Sequence, residues 1–314
     1  MTLRLFDADE TRAALPYEKL IPALRKAFAA GAQVPPRHHH HIPQADGSEA
    51  VLLLMPAWQS AYVGVKIVTI FSGNTARHLP GVHSTYLLSR AETGEPVALL
   101  DGNEITGRRT VGVAALAASF LARSDAASMT IVGAGRIASQ AAQAFRTVRP
   151  IRTVTVWDVN RDMATRLADQ LRADGIDAVV APGLEDAVRG ADIVSCATLS
   201  REPLIRASWL KPGAHLDLIG SFTRDMREAE DACLGLGPVF VDSPSAAAEA
   251  GDLICPIEAG ILDPSSIGTL EQLCRGEKAG RAGEADITVF KAVGTALSDI
   301  AAAALVYHNT AEAA

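Results

Sequence analysis

The stretch Thr130-Ile131-Val132-Gly133-Ala134-Gly135-Arg136-Ile137-Ala138-Ser139 runs three strand-forming residues into a G-x-G-x-x-A turn, and an alanine-rich helical pattern continues to Phe145. In a dinucleotide-binding βα unit the first glycine makes the tight turn and the second lets the backbone approach a pyrophosphate. The third small residue lets the helix pack closely. A glycine triplet alone is weak evidence, so the flanks must carry the reading. After the helix comes a strand pattern, Thr153 to Trp157, that ends in Asp158. This acid stands roughly twenty residues beyond Gly135, the spacing at which a carboxylate reaches a ribose 2′-hydroxyl.

Composition narrows the setting. The chain has 314 residues, 48% hydrophobic and 21% charged, enough for two domains that each bury a core. A net charge of −7 without clustered Lys and Arg argues against nucleic acid or anionic lipid as a partner. No apolar run reaches the ~18 to 20 residues that span a bilayer, and Met1 to Leu15 lacks the apolar core of a signal peptide. Cys196, Cys233, Cys255 and Cys274 stand far apart with no C-x-x-C pair, which fits a reducing cytoplasm.

Outward from the glycine turn, the two halves of the chain differ. Apolar residues at Leu20, Ala23, Leu24, Ala27 and Phe28 predict an amphipathic helix over Tyr17 to Ala30. Strand-like runs follow at Val51 to Met55, Tyr62 to Phe71, Ser84 to Ser89 and Val97 to Leu100, as in an antiparallel sheet or partial barrel. A long helix is expected over Ile105 to Ala122. Beyond Asp158 short strands alternate with helices, which predicts parallel βαβ units. A final helix is expected over Ile287 to Tyr307, returning to the first domain. The fold class is therefore α/β: a Rossmann-type doubly wound parallel sheet over 123–291, and an α+β substrate and dimerisation domain over 1–122 completed by a helix in 292–314.

Blocks along nearly the whole chain resemble the ornithine cyclodeaminase/mu-crystallin family. They are Leu54-Met55-Pro56, Gly64-Val65-Lys66, Asp101 to Thr106 followed by Arg108-Arg109-Thr110, the glycine turn, Cys196-Ala197-Thr198, and Val289 to Gly294. The resemblance implies a homodimer that shares sheet across the subunit boundary, a nicotinamide cofactor, and a small amino or imino acid substrate. It also implies that two arginines and a lysine hold the substrate carboxylate, here Arg37, Lys66 and Arg109. A guanidinium offers paired donors that match both carboxylate oxygens, and a lysine adds a compact charge that can give up a proton. From the residues alone, Lys66 interrupts an apolar run and is either edge-facing or turned into a cleft. Lys66 and Arg109 are the candidate catalytic residues, with His83 or a bound water as the alternative proton source to Lys66.

Two departures from the family's cyclodeaminase pattern decide between its activities. Where those enzymes carry an aspartate after a late strand, this chain has Phe222, and where they carry a glutamate before Met-Pro, it has Leu53. Neither side chain can move a proton or compensate a distal ammonium. Leu53 and Phe222 are instead expected to line a pocket for an apolar ring. The expected reaction is reduction of Δ1-pyrroline-2-carboxylate or Δ1-piperideine-2-carboxylate to L-proline or L-pipecolate. Ornithine cyclodeaminase, an alanine-type amino acid dehydrogenase and a non-catalytic binding protein are the alternatives.

The expected cofactor contacts are Gly133, Gly135, Arg136, Ile137, Asp158, Arg161, Ala197, Thr198 and Ser221. Asp158 favours NAD(H), because a carboxylate accepts the ribose hydroxyls and repels a 2′-phosphate, while Arg161 nearby leaves room for NADP(H). Lys291 and Gly294 are expected either to close the cleft or to sit on a helix surface. No metal is expected: four adjacent histidines, His38 to His41, alternate faces on an extended segment and offer at most two ligands per side.

Overall fold

The computed structural model describes residues 3–44 and 49–311. Two compact units divide it, Met1–Arg109 with Thr295–Ala314, and Thr110–Gly294.

The first unit is built on a six-stranded sheet. In chain order its elements are β1 (Arg4–Phe6), α1 (Ala8–Ala13), α2 (Tyr17–Ala30), β2 (His38–Pro43), β3 (Glu49–Gln59), β4 (Tyr62–Phe71), β5 (Val82–Arg90), β6 (Pro96–Asp101) and the first part of α3 (Gly102–Leu121). The strand order is β1-β6-β5-β4-β3-β2, antiparallel except for the β1–β6 pair. Strand β4 has one face of Tyr62, Gly64, Lys66 and Val68, all buried, and an opposite face of half-buried Val63, Val65, Ile67 and Thr69. The buried face lies under the chain's last helix, Ala296–Ala311, which packs on β3, β4, β5 and α2. Helix α2 presents Leu20, Leu24 and Phe28, each essentially fully buried, to this core. Each contributes about 1.5–3 kcal/mol by leaving water.

The opposite sheet face is also apolar. Register places Leu5 beside Leu99, Leu99 beside Leu87, Leu87 beside Val65 and Val65 beside Pro56, one row across five strands. Leu5 is 69% exposed and the other four are half-buried.

The second unit opens with the remainder of α3 and continues through β7 (Ser128–Val132), α4 (Ala138–Arg146), β8 (Thr153–Trp157), α5 (Arg161–Ala173), β9 (Asp177–Val180), α6 (Leu184–Gly190) and β10 (Ile193–Cys196). It is completed by β11 (His215–Leu218), β12 (Val239–Val241), α7 (Ala246–Glu249), α8 (Gly251–Glu258), β13 (Gly268–Thr269), α9 (Leu270–Arg275) and β14 (Thr288–Lys291). All strands are parallel in the order β13-β12-β14-β11-β10-β7-β8-β9. This is the doubly wound arrangement, with its topological switch between β7 and β10.

Two expected boundaries move. The units part at Arg109/Thr110, inside α3, and not at 122/123. The end of α3 belongs to the second unit because that unit caps it: Arg149 donates to the carbonyls of Ser119 and Ala122, and Arg281 Nε and Thr288 Oγ1 donate to that of Leu121. Last-turn carbonyls lack helical partners and need such donors. The expected final helix also divides. Thr288-Val289-Phe290-Lys291 is a fully buried strand between β11 and β12, and Gly294 then takes a positive φ of 82°. The helix starts only at Ala296 and forms α10 (Ala296–Ala311); positions 312–314 of the expected segment lie outside the described residues.

Candidate active site

A cavity of about 430 Å³ opens at the switch point of the second unit, lined by Gly133, Ala134 and Gly135 after β7, Trp157, Asp158 and Val159 at the end of β8, and Ala197 to Ser200 with Leu204 after β10. Gly133 has φ +102°, and a Cβ there would stand 2.7 Å from the Ala197 carbonyl oxygen. Only glycine fits that position. A Cβ on Gly135 would meet no atom within 4 Å, so its backbone faces open space. Asp158 accepts the N–H of Ala134 at 2.7 Å through Oδ2 and that of Asn160 at 2.7 Å through Oδ1. Its carboxylate is thereby fixed at the cavity wall.

Beneath this wall lies a fully buried ionic network. Glu228 accepts Thr198 N at 2.7 Å and Thr198 Oγ1 at 2.9 Å on one oxygen, and Gly220 N at 2.7 Å on the other. Asp252 accepts the N–H of Glu228 at 2.8 Å. Lys291 Nζ lies 3.4 Å from Asp252 and 3.9 Å from Glu228. Burial raises the Glu228 carboxyl, while Lys291 pulls it back. The lysine therefore offsets acids packed against the strand ends.

The first unit gathers a second charged cluster. Lys66 on β4 and Arg109 on α3 converge on Asp299 in the first turn of α10. Lys66 Nζ is 3.0 Å from Oδ1 and 2.8 Å from Oδ2, and Arg109 Nε donates to Oδ1 at 2.8 Å. All three side chains are buried. Burial pushes Lys66 down to about 8 although Asp299 raises it, and the charges of Arg109 and Arg37 lower it further. Asp299 is held below its ordinary value because Arg109 and Lys66 outweigh the cost of its burial. Tyr86 lies opposite Lys66 in the register. Its hydroxyl and ring edge fill the space that a Cβ on Gly64 would take.

The expected residues are distributed as follows. Lys66 and Arg109 meet, with Arg37 near enough for its charge to act on Lys66. Leu53, half-buried, shares their sheet face, since Leu53 pairs with Val68 as Met55 pairs with Lys66. His83 pairs with Thr69 on the opposite face and does not join the cluster. In the second unit Gly133, Gly135, Asp158, Ala197 and Thr198 line the cavity, whereas Arg136, Ile137 and Arg161 stand beside it at helix starts. Ser221 is fully buried, with Oγ donating to Met226 O at 2.6 Å, so its side chain faces the loop interior. Phe222 next to it is 44% exposed. Lys291 is a buried strand residue, on neither a cleft lid nor a helix surface. Histidines 38 to 41 form β2, all exposed, and His41 pairs with Glu49 at 3.0 Å. Among the described residues no group of three His, Cys, Asp or Glu could hold a metal ion, and no helix is long and apolar enough to cross a membrane.

Asp299, Glu228, Val159 and Leu199 were not among the expected site residues. Three carried a signal: Asp299 is a lone acid in an apolar helix and must be partnered, and Val159 and Leu199 are apolar residues just past parallel strands, which face the ligand side; Glu228, in a polar loop, carried none.

A doubly wound parallel sheet with a small-residue turn at its switch point, joined to a mainly antiparallel unit holding a buried cation cluster, defines a two-unit protein of the Rossmann type. Within that class the chain belongs to the ornithine cyclodeaminase/mu-crystallin family, whose match covers residues 7–314. It is 38% identical over 277 residues to the Δ1-pyrroline-2-carboxylate reductase of Paracoccus denitrificans, covering 84% of this chain and 87% of that protein. Among solved structures it resembles the Δ1-pyrroline-2-carboxylate reductase of Thermococcus litoralis in complex with NADH and L-proline, at 30% identity, TM-score 0.91 and 98% coverage of both chains. It also resembles an archaeal alanine dehydrogenase dimer with bound NAD, at 28% identity and TM-score 0.92, covering 100% of this chain and 97% of that one.

Proposed function

We propose that this protein is an imine reductase that uses NADH, and accepts NADPH, to convert Δ1-pyrroline-2-carboxylate or its six-membered homologue to L-proline or L-pipecolate. The observation that carries the reading is the buried meeting of Lys66 and Arg109 on Asp299, with Leu53 on the same sheet face. Asp299 takes the Nε side of Arg109. The two terminal nitrogens are the ones that suit a carboxylate, with Arg37 as a second donor. Lys66, at about 8, is protonated at neutral pH yet gives up its proton readily, and it is the proton source for the ring nitrogen. Leu53 supplies an apolar wall for ring methylenes.

The switch-point cavity fits a dinucleotide. Gly135 leaves its backbone open to a pyrophosphate, Asp158 stands at the strand end where a ribose is read, and Val159 and Leu199 offer apolar walls for a base. When bound, reduced nicotinamide supplies the hydride that the C=N carbon takes. Thr198 and Ala197 would border it, and Arg136, Ile137 and Arg161 would lie along its phosphates and ribose. The role of the chain's own residues is mainly to position and orient.

Two relatives' names favour the imine substrate, and the alanine dehydrogenase supports a second reading in which the same cations hold a 2-oxo acid. Cyclodeamination of ornithine is disfavoured by Leu53 and Phe222. The purified protein should oxidise NADH with the cyclic imine acid far faster than with pyruvate and ammonium, and should release no ammonia from ornithine. Faster turnover of pyruvate with ammonium would replace this reading by the second.

The assembly we propose is a homodimer. The apolar row Leu5, Leu99, Leu87, Val65 and Pro56 supports it, because a continuous apolar face of that kind suits a second copy. Light scattering at twice the chain mass is the expected result.

A further inference from the structure

Nothing in the carboxylate-binding role explains why a fully buried acid stands between the two cations. Asp299 is the only acid of α10, in a helix otherwise dominated by alanine and apolar residues. Two buried cations without it would repel each other, and burial would strip the proton from the lysine. With it, the buried trio of Lys66, Arg109 and Asp299 carries one net positive charge. That matches one carboxylate, and half-buried Arg37 adds its charge from outside the trio.

We propose that Asp299 is a positioning residue: it locks Arg109 through Nε, anchors the Lys66 ammonium, and sets the buried site's charge to accept a single carboxylate. This rests on the reading of Lys66 and Arg109 as the substrate-carboxylate site. The geometry supports each part. One oxygen bridges both cations at 2.8 and 3.0 Å, and the acid itself is supplied by a helix packed squarely on the strands that carry Lys66 and Tyr86. The groups that bear on Lys66 are Asp299 from α10, Arg109 from α3, Arg37 ahead of β2 and Tyr86 from β5. Asp299 is the acid among the groups that act on Lys66, so its removal changes the balance in one direction.

The test compares wild type, Asp299→Asn and Asp299→Glu by kcat and KM across pH, by sulfate binding at constant ionic strength, and by NADH titration as a control on folding. In Asp299→Asn, kcat/KM for the imine acid should fall roughly ten- to a hundred-fold, as for loss of charged hydrogen bonds. The alkaline limb of kcat should move to lower pH by about one unit or more, because Lys66 loses the group that raises its pKa. Sulfate should bind more tightly to Asp299→Asn and unchanged to Asp299→Glu, which keeps the charge. NADH binding should stay within about two-fold. An Asn variant with the wild-type alkaline limb and wild-type sulfate affinity would overturn the proposal. If Asp299→Asn does not fold, Asp299→Glu decides: loss of kcat with sulfate affinity kept supports the proposal, and wild-type kcat refutes it. Failure of the wild type to turn over any cyclic imine acid would refute the proposed function instead, and the sulfate comparison would still report on Asp299.

Discussion

Glu228 accepts the backbone N–H of Thr198 and that of Gly220, each at 2.7 Å, so one side chain ties the segment leaving β10 to the segment leaving β11. These segments follow adjacent strands at the ligand side of a doubly wound sheet. In Glu228→Gln one acceptor oxygen becomes an NH2 group facing an N–H donor, and Lys291 loses part of its counter-charge. The dissociation constant for NADH should rise about tenfold or more, read by fluorescence titration.

The two glycines of the turn predict opposite outcomes. Gly133→Ala forces a Cβ to within 2.7 Å of a carbonyl oxygen at φ +102°, and should cost about 1–3 kcal/mol in urea unfolding. Gly135→Ala adds a methyl group to open space and should leave unfolding unchanged while weakening NADH binding.

Asp158→Ser removes the carboxylate that repels a 2′-phosphate and leaves Arg161 at the start of the following helix. The ratio of kcat/KM for NADPH over NADH should rise about tenfold or more, measured with both cofactors at fixed imine concentration.

Arg109→Ala should lower kcat/KM for the imine acid about a hundredfold or more while NADH still binds, since Arg109 belongs to the first unit and the cavity to the second. Arg109→Lys should not restore activity, because a lysine cannot serve Asp299 and a carboxylate with one planar fork.

Asp192 predicts a pH dependence of stability. Burial alone would raise its carboxyl, but the ammonium of Lys211 and the N–H groups of Ala127 and Ser128 outweigh it and hold the group well below its ordinary 3.8. Arg123 also pairs with it at 2.8 Å. A depressed folded value means the contribution is full above the ordinary value and is lost as pH falls through the folded one. Asp192→Ala should therefore be destabilised by about 2 kcal/mol at neutral pH, and the gap to wild type should narrow only below pH 3.8.

Legibility followed the physics of each segment. The Thr130 to Phe145 motif appears as β7, turn and α4, and the strands at Tyr62–Phe71 and Thr153–Trp157 lie where alternation and β-branching put them. The 288–291 strand was hidden because an apolar run buried on both faces has no period of its own, and the helix pattern beyond it swallowed it. The unit boundary inside α3 was hidden because no local residue marks it; distant arginines at 149 and 281 decide it by capping. Asp299 is not legible as a site residue because its partners Lys66 and Arg109 are far away in sequence, and only the fold brings them together.

The first unit is discontinuous in sequence, and its acid arrives late. Lys66 and Arg109 leave the ribosome before the whole of residues 110–294, which can complete its own sheet as a contiguous block, whereas Asp299 follows after it. Until α10 docks, the two cations have no counter-charge and the inner face of the sheet has no cover. A chain truncated before Ala296 should therefore contain a folded 110–294 block attached to a first unit whose cations lack their counter-charge and whose sheet lacks its cover.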